Sequence, residues 1–295
     1  MYLLDTDIAF LGHVCFDEIH PFGGTPTTAP GSAVLCGAMA AARVGARVAV
    51  VTRMNPADAH ILDPLRALGV ECAVIPSEET TRMRVVHPTA DLDVREMAQT
   101  ANAGFLRIED LPPIESRCVH LAGITDREFT LDLVRGLRER GCSVSADLQS
   151  FVRQVDPTTR AIRFADVPAK AELVAQLDRV KLDAVEAKIL TGTDELATAA
   201  ARFADWGCPE VVITRADGVL ARVGGETFFA RFTNRNASGR TGRGDTTFAG
   251  YLAWRLDHPP AEALAFAAAL VSIKMETPGP FAGTLEDVRA RMNRS

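Results

Sequence analysis

Residues 237–252 read ASGRTGRGDTTFAGYL and hold the densest set of groups able to do chemistry. Gly239, Gly242 and Gly244 precede an apolar helical pattern. Glycine lets a backbone turn sharply and approach a ligand closely. The first turn of a helix offers N–H groups without internal acceptors and the positive end of the helix dipole. Such a place binds anions, phosphate above all. Asp245 stands at the start of this helix. A carboxylate there is most often a cap. Beside an anion site it can also act as a general base, taking a proton from a hydroxyl that attacks phosphorus. A Walker A loop would need a lysine after the glycines, and none is present. The dinucleotide fingerprint would need glycine where Thr247 stands. Arg243-Gly244-Asp245 spells an adhesion tripeptide, but the opening MYLLDTD has no basic region and is not expected to be a secretion signal.

The elements around this loop alternate. Strand patterns cover residues 7–12, 47–52, 71–75, 117–121, 143–147, 177–182 and 210–214. Helix patterns cover 32–44, 58–68, 125–140, 183–190, 193–206, 245–255 and 260–275, with a last helix after Thr284. Residues 219–223 and 227–231 form a hairpin pattern around Gly224-Gly225. Repeated strand–helix alternation predicts an α/β fold, a mostly parallel sheet between helices. Ligands in such sheets bind at the carboxyl ends of strands. From residue 76 to about 103 the helical period vanishes. Residues 82–87 and 94–99 read as paired strands, a small β excursion that would serve as a lid. One domain over residues 1–295 is expected, with a lid from about 13–30 and 76–103.

Composition narrows the function. The chain has 295 residues, 47% hydrophobic and 24% charged, which suits a folded globular protein. The formal net charge of −6 argues against a phosphate-gripping nucleic-acid binder. The apolar stretch 261–275 carries Glu262 and Lys274 and falls short of the roughly 20 apolar residues of a membrane span. Lysine occurs only at 170, 181, 188 and 274. The six cysteines share no C-x-x-C spacing, so free thiols in a reducing cytoplasm are expected.

The loop TGRGDTTFAG resembles the T-G-A-G-D-T-F-x-x-G signature of the ribokinase-like (PfkB) sugar and nucleoside kinases. PGSAVLCGAMAAARVGARVAVVT resembles the family's P-G-G-x-x-x-N-x-A-x-x-x-A-R-L-G segment, KLDAVEAKILTG the segment around its N-x-x-E, and VVITRADG its T-x-G-x-x-G nucleotide stretch, one residue short. The resemblance implies a ribokinase-like fold and transfer of the γ-phosphoryl of ATP to a hydroxyl of a small sugar, cyclitol or nucleoside. It implies that Asp245 is the general base and that the backbone N–H groups of Gly242, Arg243 and Gly244 form the anion hole. Asp17 matches the sugar-binding aspartate, with Gly31, Ser32 and Cys36 on the substrate side. Thr214, Arg215 and Gly218 fall on the nucleotide stretch. Asp183 and Glu186 fall on N-x-x-E, which acts on magnesium and phosphates through water. The lid would exclude water on closing, and it is the expected face for a homodimer.

The departures from the pattern are informative. Ser32 replaces the second glycine of the G-G pair, and Cys36 replaces the sugar-contacting asparagine, which removes an amide donor and acceptor. Arg243 replaces alanine and Asp183 replaces asparagine. Gly239 stands where the family often has an aspartate associated with a monovalent cation, so little potassium dependence is expected. The histidines share no metal-binding spacing; His13, just past the first strand and near Asp17, is a candidate substrate contact. A second reading is a non-catalytic relative that binds nucleotide or polyol as a sensor. It must explain an intact Asp245 between glycines.

Overall fold

The computed structural model describes residues 3–91 and 94–293. Residues 1–2 and 294–295, at the ends of the expected domain, and 92–93, within the expected lid, lie outside the described residues. The second half of the first strand, β1 (Leu4–Leu11), is a continuous apolar run from Ile8 to Leu11 because both faces are covered there. Ile8 and Phe10 enter one hydrophobic core, and Ala9 and Leu11 enter the other.

Next come β2 (Cys15–His20), β3 (Thr27–Gly31), α1 (Ala33–Arg43) and β4 (Val48–Met54). A 3-10 turn over Pro56–Leu62 runs into the short α2 (Asp63–Arg66), followed by β5 (Glu71–Pro76), β6 (Thr81–Val86) and β7 (Glu96–Ala101). The middle of the chain forms β8 (Ile114–Leu121), α3 (Leu131–Glu139), β9 (Val144–Asp147), α4 (Gln149–Val152), β10 (Arg153–Val155), β11 (Ile162–Phe164) and α5 (Lys170–Val174). It continues through β12 (Arg179–Asp183), α6 (Ala184–Thr191), α7 (Leu196–Asp205), β13 (Glu210–Thr214), β14 (Gly218–Val223) and β15 (Glu226–Arg231). The closing helices are α8 (Arg243–Arg255), α9 (Pro260–Met275) and α10 (Leu285–Met292).

Nine strands form the main sheet in the order β15-β14-β13-β12-β9-β8-β1-β4-β5. All pairs from β13 to β5 are parallel, and β14 and β15 add an antiparallel edge. Helices α1, α8, α9 and α10 pack in the core on one face, and α3, α5, α6 and α7 in the core on the other. The expected α/β sandwich is therefore present. No helix among the described residues is long and apolar enough to cross a membrane.

A second sheet, β3-β2-β6-β7, stands apart from the first. It unites two segments that the sequence reading assigned to the lid. Asp17 on β2 lies opposite Ala29 on β3 and Met83 on β6. The small β10–β11 hairpin has no counterpart in the expected elements.

Two expected helices are shorter than their patterns. The 58–68 pattern becomes mainly 3-10, after a cap in which Asn55 Oδ1 accepts from Ala57 N–H at 2.9 Å. In the 125–140 pattern, helix begins only at Leu131, where the Thr130 side chain caps it. The residues before it wrap the buried Glu128 carboxylate instead. That carboxylate accepts from the backbone N–H groups of Ile124 at 2.5 Å, Thr125 at 3.2 Å and, across the fold, His13 at 2.7 Å.

Candidate active site

The carboxyl ends of neighbouring strands converge where the chain order of the sheet reverses around β1, the usual place for a ligand crevice. Asp147 ends β9, Asp183 ends β12 and Thr214 ends β13. Helices α1 and α8 present their N-termini to the same region, with Cys36 of α1 against Gly242 of α8.

Helix α8 begins two residues earlier than its sequence pattern suggests. Gly242 is the N-cap, in the left-handed region at φ 76°, and no side chain caps the helix. A Cβ at Gly242 would lie 2.7 Å from Cys36 Sγ, so both the turn and the close approach require glycine. Asp245 is therefore the third helical residue and not the cap. Its Oδ1 lies 3.4 Å from Gln149 Nε2, which also donates to the Gly123 carbonyl at 2.9 Å.

The expected anion hole needs one correction. The Arg243 N–H donates to the Arg240 carbonyl at 3.1 Å and closes a turn. The N–H groups of Gly242, Gly244 and Asp245 have no acceptor among the described residues. The free donors at this helix start are thus those three, because the tight turn into α8 consumes the one on Arg243.

Beneath Gly244 lies the Lys181 ammonium; a Cβ on Gly244 would come within 2.6 Å of Nζ. Lys181 is buried and pairs with buried Asp147 at 2.7 Å. Burial pulls the ammonium pKa down, but the carboxylates of Asp147, Glu186 and Asp245 outweigh burial and hold it well above the ordinary lysine value. The positive charge persists where an anion would arrive.

On the substrate side, Asp17 sits so close to Gly31 that any side chain there would strike its carboxylate. Burial raises the Asp17 carboxyl above its usual range; the Cys15 thiol, 3.3 Å from Oδ1, works against that, and Asp245 adds to it. Burial, helped by Asp245, pushes the Cys36 thiol up to about 12, so it is neutral at ordinary pH. Ser32 caps α1 through its Oγ, which accepts from Leu35 N–H at 3.1 Å. Asp17, Cys36 and Asp245 thus share one electrostatic neighbourhood.

His13 does not join them. Its ring is fully buried, with Nε2 2.8 Å from the Gly104 carbonyl oxygen and Nδ1 2.8 Å from Thr81 Oγ1. Both nitrogens are occupied, so the residue ties β6 and the stretch after β7 to the main sheet and cannot reach a ligand. Arg215, expected on the nucleotide stretch, stands at the corner between β13 and β14. It is exposed, pairs with Asp217 and lies 4.9 Å over the Phe229 ring. The short turn that closes Arg215 N–H onto the Gly218 carbonyl at 2.9 Å holds it there. Thr214 and Gly218 are buried at that corner.

Asp183 and Glu186 form a reciprocal capping box at the start of α6, with bonds of 2.9 and 2.8 Å. One Glu186 oxygen serves the box. The other, Oε1, is buried without a hydrogen-bond partner and lies 3.8 Å from an Arg153 nitrogen. Burial and Asp183 push this carboxyl up to about 7. An orphaned buried oxygen fits contact with a divalent cation through water. Among the described residues no group of three or more His, Cys, Asp or Glu side chains is placed to hold a metal ion.

Lys181, Gln149 and Lys274 were not singled out by sequence reasoning. The one available signal was a charge inside an apolar run, VKL at 180–182 and VSIKM at 271–275.

A family model described as pfkB family carbohydrate kinase matches residues 5–287. A cytidine kinase from Thermococcus kodakarensis is 27% identical over 259 residues, which cover 84% of this chain and 87% of that protein. A solved structure described as a pyrophosphate-dependent kinase in the ribokinase family, complexed with a pyrophosphate analog and myo-inositol, is 31% identical, with a TM-score of 0.87 over 96% of this chain and 99% of that one. A ribokinase from Arabidopsis thaliana, complexed with ribose and ATP, shares the fold at 17% identity and a TM-score of 0.78, over 99% of this chain and 100% of that one.

Proposed function

The chain belongs to the pfkB carbohydrate kinase family, and from that premise we propose that it moves the γ-phosphoryl of ATP to a hydroxyl of a small polyol, with Asp245 as general base. The observation that carries this reading is a carboxylate in the first turn of an uncapped helix where the N–H groups of Gly242, Gly244 and Asp245 have no acceptor among the described residues. A carboxylate there repels an anionic donor, a cost that general base catalysis on the acceptor hydroxyl would offset. We assign the acceptor to the space between Asp17 and Asp245. Asp245 removes the hydroxyl proton, the oxygen bonds to phosphorus, and the bond from phosphorus to the β-phosphate oxygen breaks to leave ADP. The N–H groups of Gly242 and Gly244, with Lys181 behind them, offset charge on the transferring oxygens. Magnesium carried by the donor would spread its phosphate charge, and Glu186 is the residue suited to meet it through water. The β3-β2-β6-β7 sheet would close over the acceptor and exclude water.

The acceptor class we favour is a cyclitol or nucleoside. The relatives described with myo-inositol and as a cytidine kinase support that choice. The loss of the asparagine amide at Cys36 argues against a hydroxyl pattern like that of ribose. A second reading concerns the donor. Arg243, where the family pattern has alanine, adds a charge suited to a short inorganic phosphate donor. The relative described as pyrophosphate-dependent supports pyrophosphate in place of ATP.

One assay separates these readings. Purified protein is given magnesium with ATP or with pyrophosphate, over a panel of inositols, nucleosides and pentoses. Turnover with ATP supports the first reading, and turnover with pyrophosphate alone supports the second. No turnover with either donor, together with ligand-dependent melting, would make it a binding protein. In the active pair, Asp245→Asn lowers kcat by about 10²-fold or more, in line with general base catalysis, while donor binding survives. A variant within a few-fold of wild type would mean that Asp245 serves only the helix.

A further inference from the structure

Lys274 is buried near the end of α9, on a helix otherwise almost wholly apolar. A buried ammonium is costly unless its protons meet acceptors. Its Nζ donates to the carbonyl oxygens of Gly239 and Thr241. These two carbonyls belong to the loop that turns at Gly242 into α8. Further bonds tie the same loop to the end of α9. Gly239 N–H donates to the Met275 carbonyl at 2.8 Å, and Ser238 Oγ donates to the Glu276 carbonyl at 3.0 Å. Thr233 N–H donates to Ser272 Oγ at 2.8 Å. Gly239 presses against the Thr277 carbonyl so closely that no side chain fits at that position. The only cationic group among these bonds is the Lys274 ammonium. It also lies in the electrostatic field of Asp245 and Cys36.

Two carbonyl oxygens turned toward one point repel each other unless a cation stands between them. An ammonium and a potassium ion can each fill that role, and one excludes the other. We propose that Lys274 is a built-in cation that holds the Gly239 and Thr241 carbonyls together and so sets the turn that delivers the free N–H groups of α8. It acts through the loop and is a positioning residue. The proposal rests on reading the start of α8 as the donor site. It supplies a physical reason to expect little potassium dependence that residue 239 alone cannot give.

The test compares wild type with Lys274→Ala and Lys274→Met. Affinity for pyrophosphate and for magnesium ATP is measured by calorimetry, and melting temperature is measured alongside. Each is run in tetramethylammonium chloride and in potassium or ammonium chloride of equal ionic strength. Wild type is expected to show the same affinity and melting temperature in all three salts. In tetramethylammonium, Lys274→Ala is expected to lose about tenfold or more in anion affinity, the scale of lost charged hydrogen bonds. Potassium or ammonium restores most of that loss and raises the melting temperature of the variant only. Three results overturn the proposal: potassium-stimulated wild type, a variant with unchanged affinity, or a folded variant that neither cation restores. If neither variant folds in any salt, wild type decides, by flat or by potassium-dependent behaviour. If wild type binds neither anion, the kinase reading fails, and Lys274 is judged on the potassium-dependent melting of its variants, which requires no turnover.

Discussion

Ser32 holds φ 136° and ψ 162°, a region of backbone space that belongs essentially to glycine. Holding a side chain there costs about 1–3 kcal/mol. The residue also caps α1, but exchanging a serine cap for glycine loses only about a few tenths of a kcal/mol. Strain relief is the larger quantity. Ser32→Gly should therefore stabilise the protein by about 1 kcal/mol, or roughly 2 °C in Tm for a chain of this size. Thermal unfolding measures it, and a lowered Tm would show that the cap outweighs the strain. Strain kept at a ligand-facing loop is a mark of function. Under the proposed function the same variant should raise KM for the acceptor, because it loosens the residue next to Gly31, which packs against the Asp17 carboxylate. At Cys36 the chemistry runs the other way. A neutral thiol in place of an amide offers only a weak donor, so under the proposed function acceptor recognition should shift toward Asp17.

The start of α8 is held from below by two strands. Lys181 of β12 and Asp147 of β9 are directly opposed in the parallel register, and both are buried. Asp147 Oδ1 also accepts from Gln149 N–H at 3.1 Å, which anchors the residue that reaches Asp245. A buried pair adds little net stability over an apolar pair, yet removing one partner strands the other charge. Lys181→Met should cost about 3–5 kcal/mol, and Asp147→Leu a similar amount. The double variant should cost less than their sum by about 2–3 kcal/mol or more, the coupling that a urea double-mutant cycle reads. Additive costs would mean that the two charges are solvated separately. The β3-β2-β6-β7 sheet is positioned differently, by neutral bonds. His13 joins it to the main body through Thr81 and Gly104.

Over the whole molecule, acid should act through buried histidines. His120 on β8 lies beneath α8 between the rings of Phe10 and Phe248, with centroids 5.5 and 5.1 Å away. Burial pushes its pKa down to about 3, and burial lowers His13 as well. Both are neutral in the folded chain at pH values where the unfolded chain takes up protons. Their contribution is complete above about pH 6.5 and is lost as the pH falls toward the folded values. For His120 the loss approaches about 1.4 kcal/mol per pH unit and totals on the order of 5 kcal/mol by pH 3. Urea unfolding at pH 7 and 4.5 measures the slope, and His120→Gln should flatten it by about one proton. An unchanged slope in that variant would remove His120 from the account.

What the amino-acid sequence determined by itself is local. Strand and helix periods, the glycines around Gly242 and the carboxylate at 245 depend on neighbours within a few positions, so they are written in consecutive residues. The alternation that makes a parallel sheet, and the order of the segments resembling the family, were legible for the same reason. The tertiary structure decided which buried groups meet. Lys181 finds Asp147, 34 positions away, only because β9 and β12 are neighbours in register. Lys274 finds the carbonyls at 239 and 241 only because α9 packs beside the loop before α8. The same long-range closure took His13 out of the ligand's reach and spent a predicted helical turn on wrapping Glu128, whereas the Arg243 N–H was taken by a local turn that the residue pattern did not reveal. A buried charge or a free N–H must find its partner wherever the fold brings one, and sequence spacing does not record that distance.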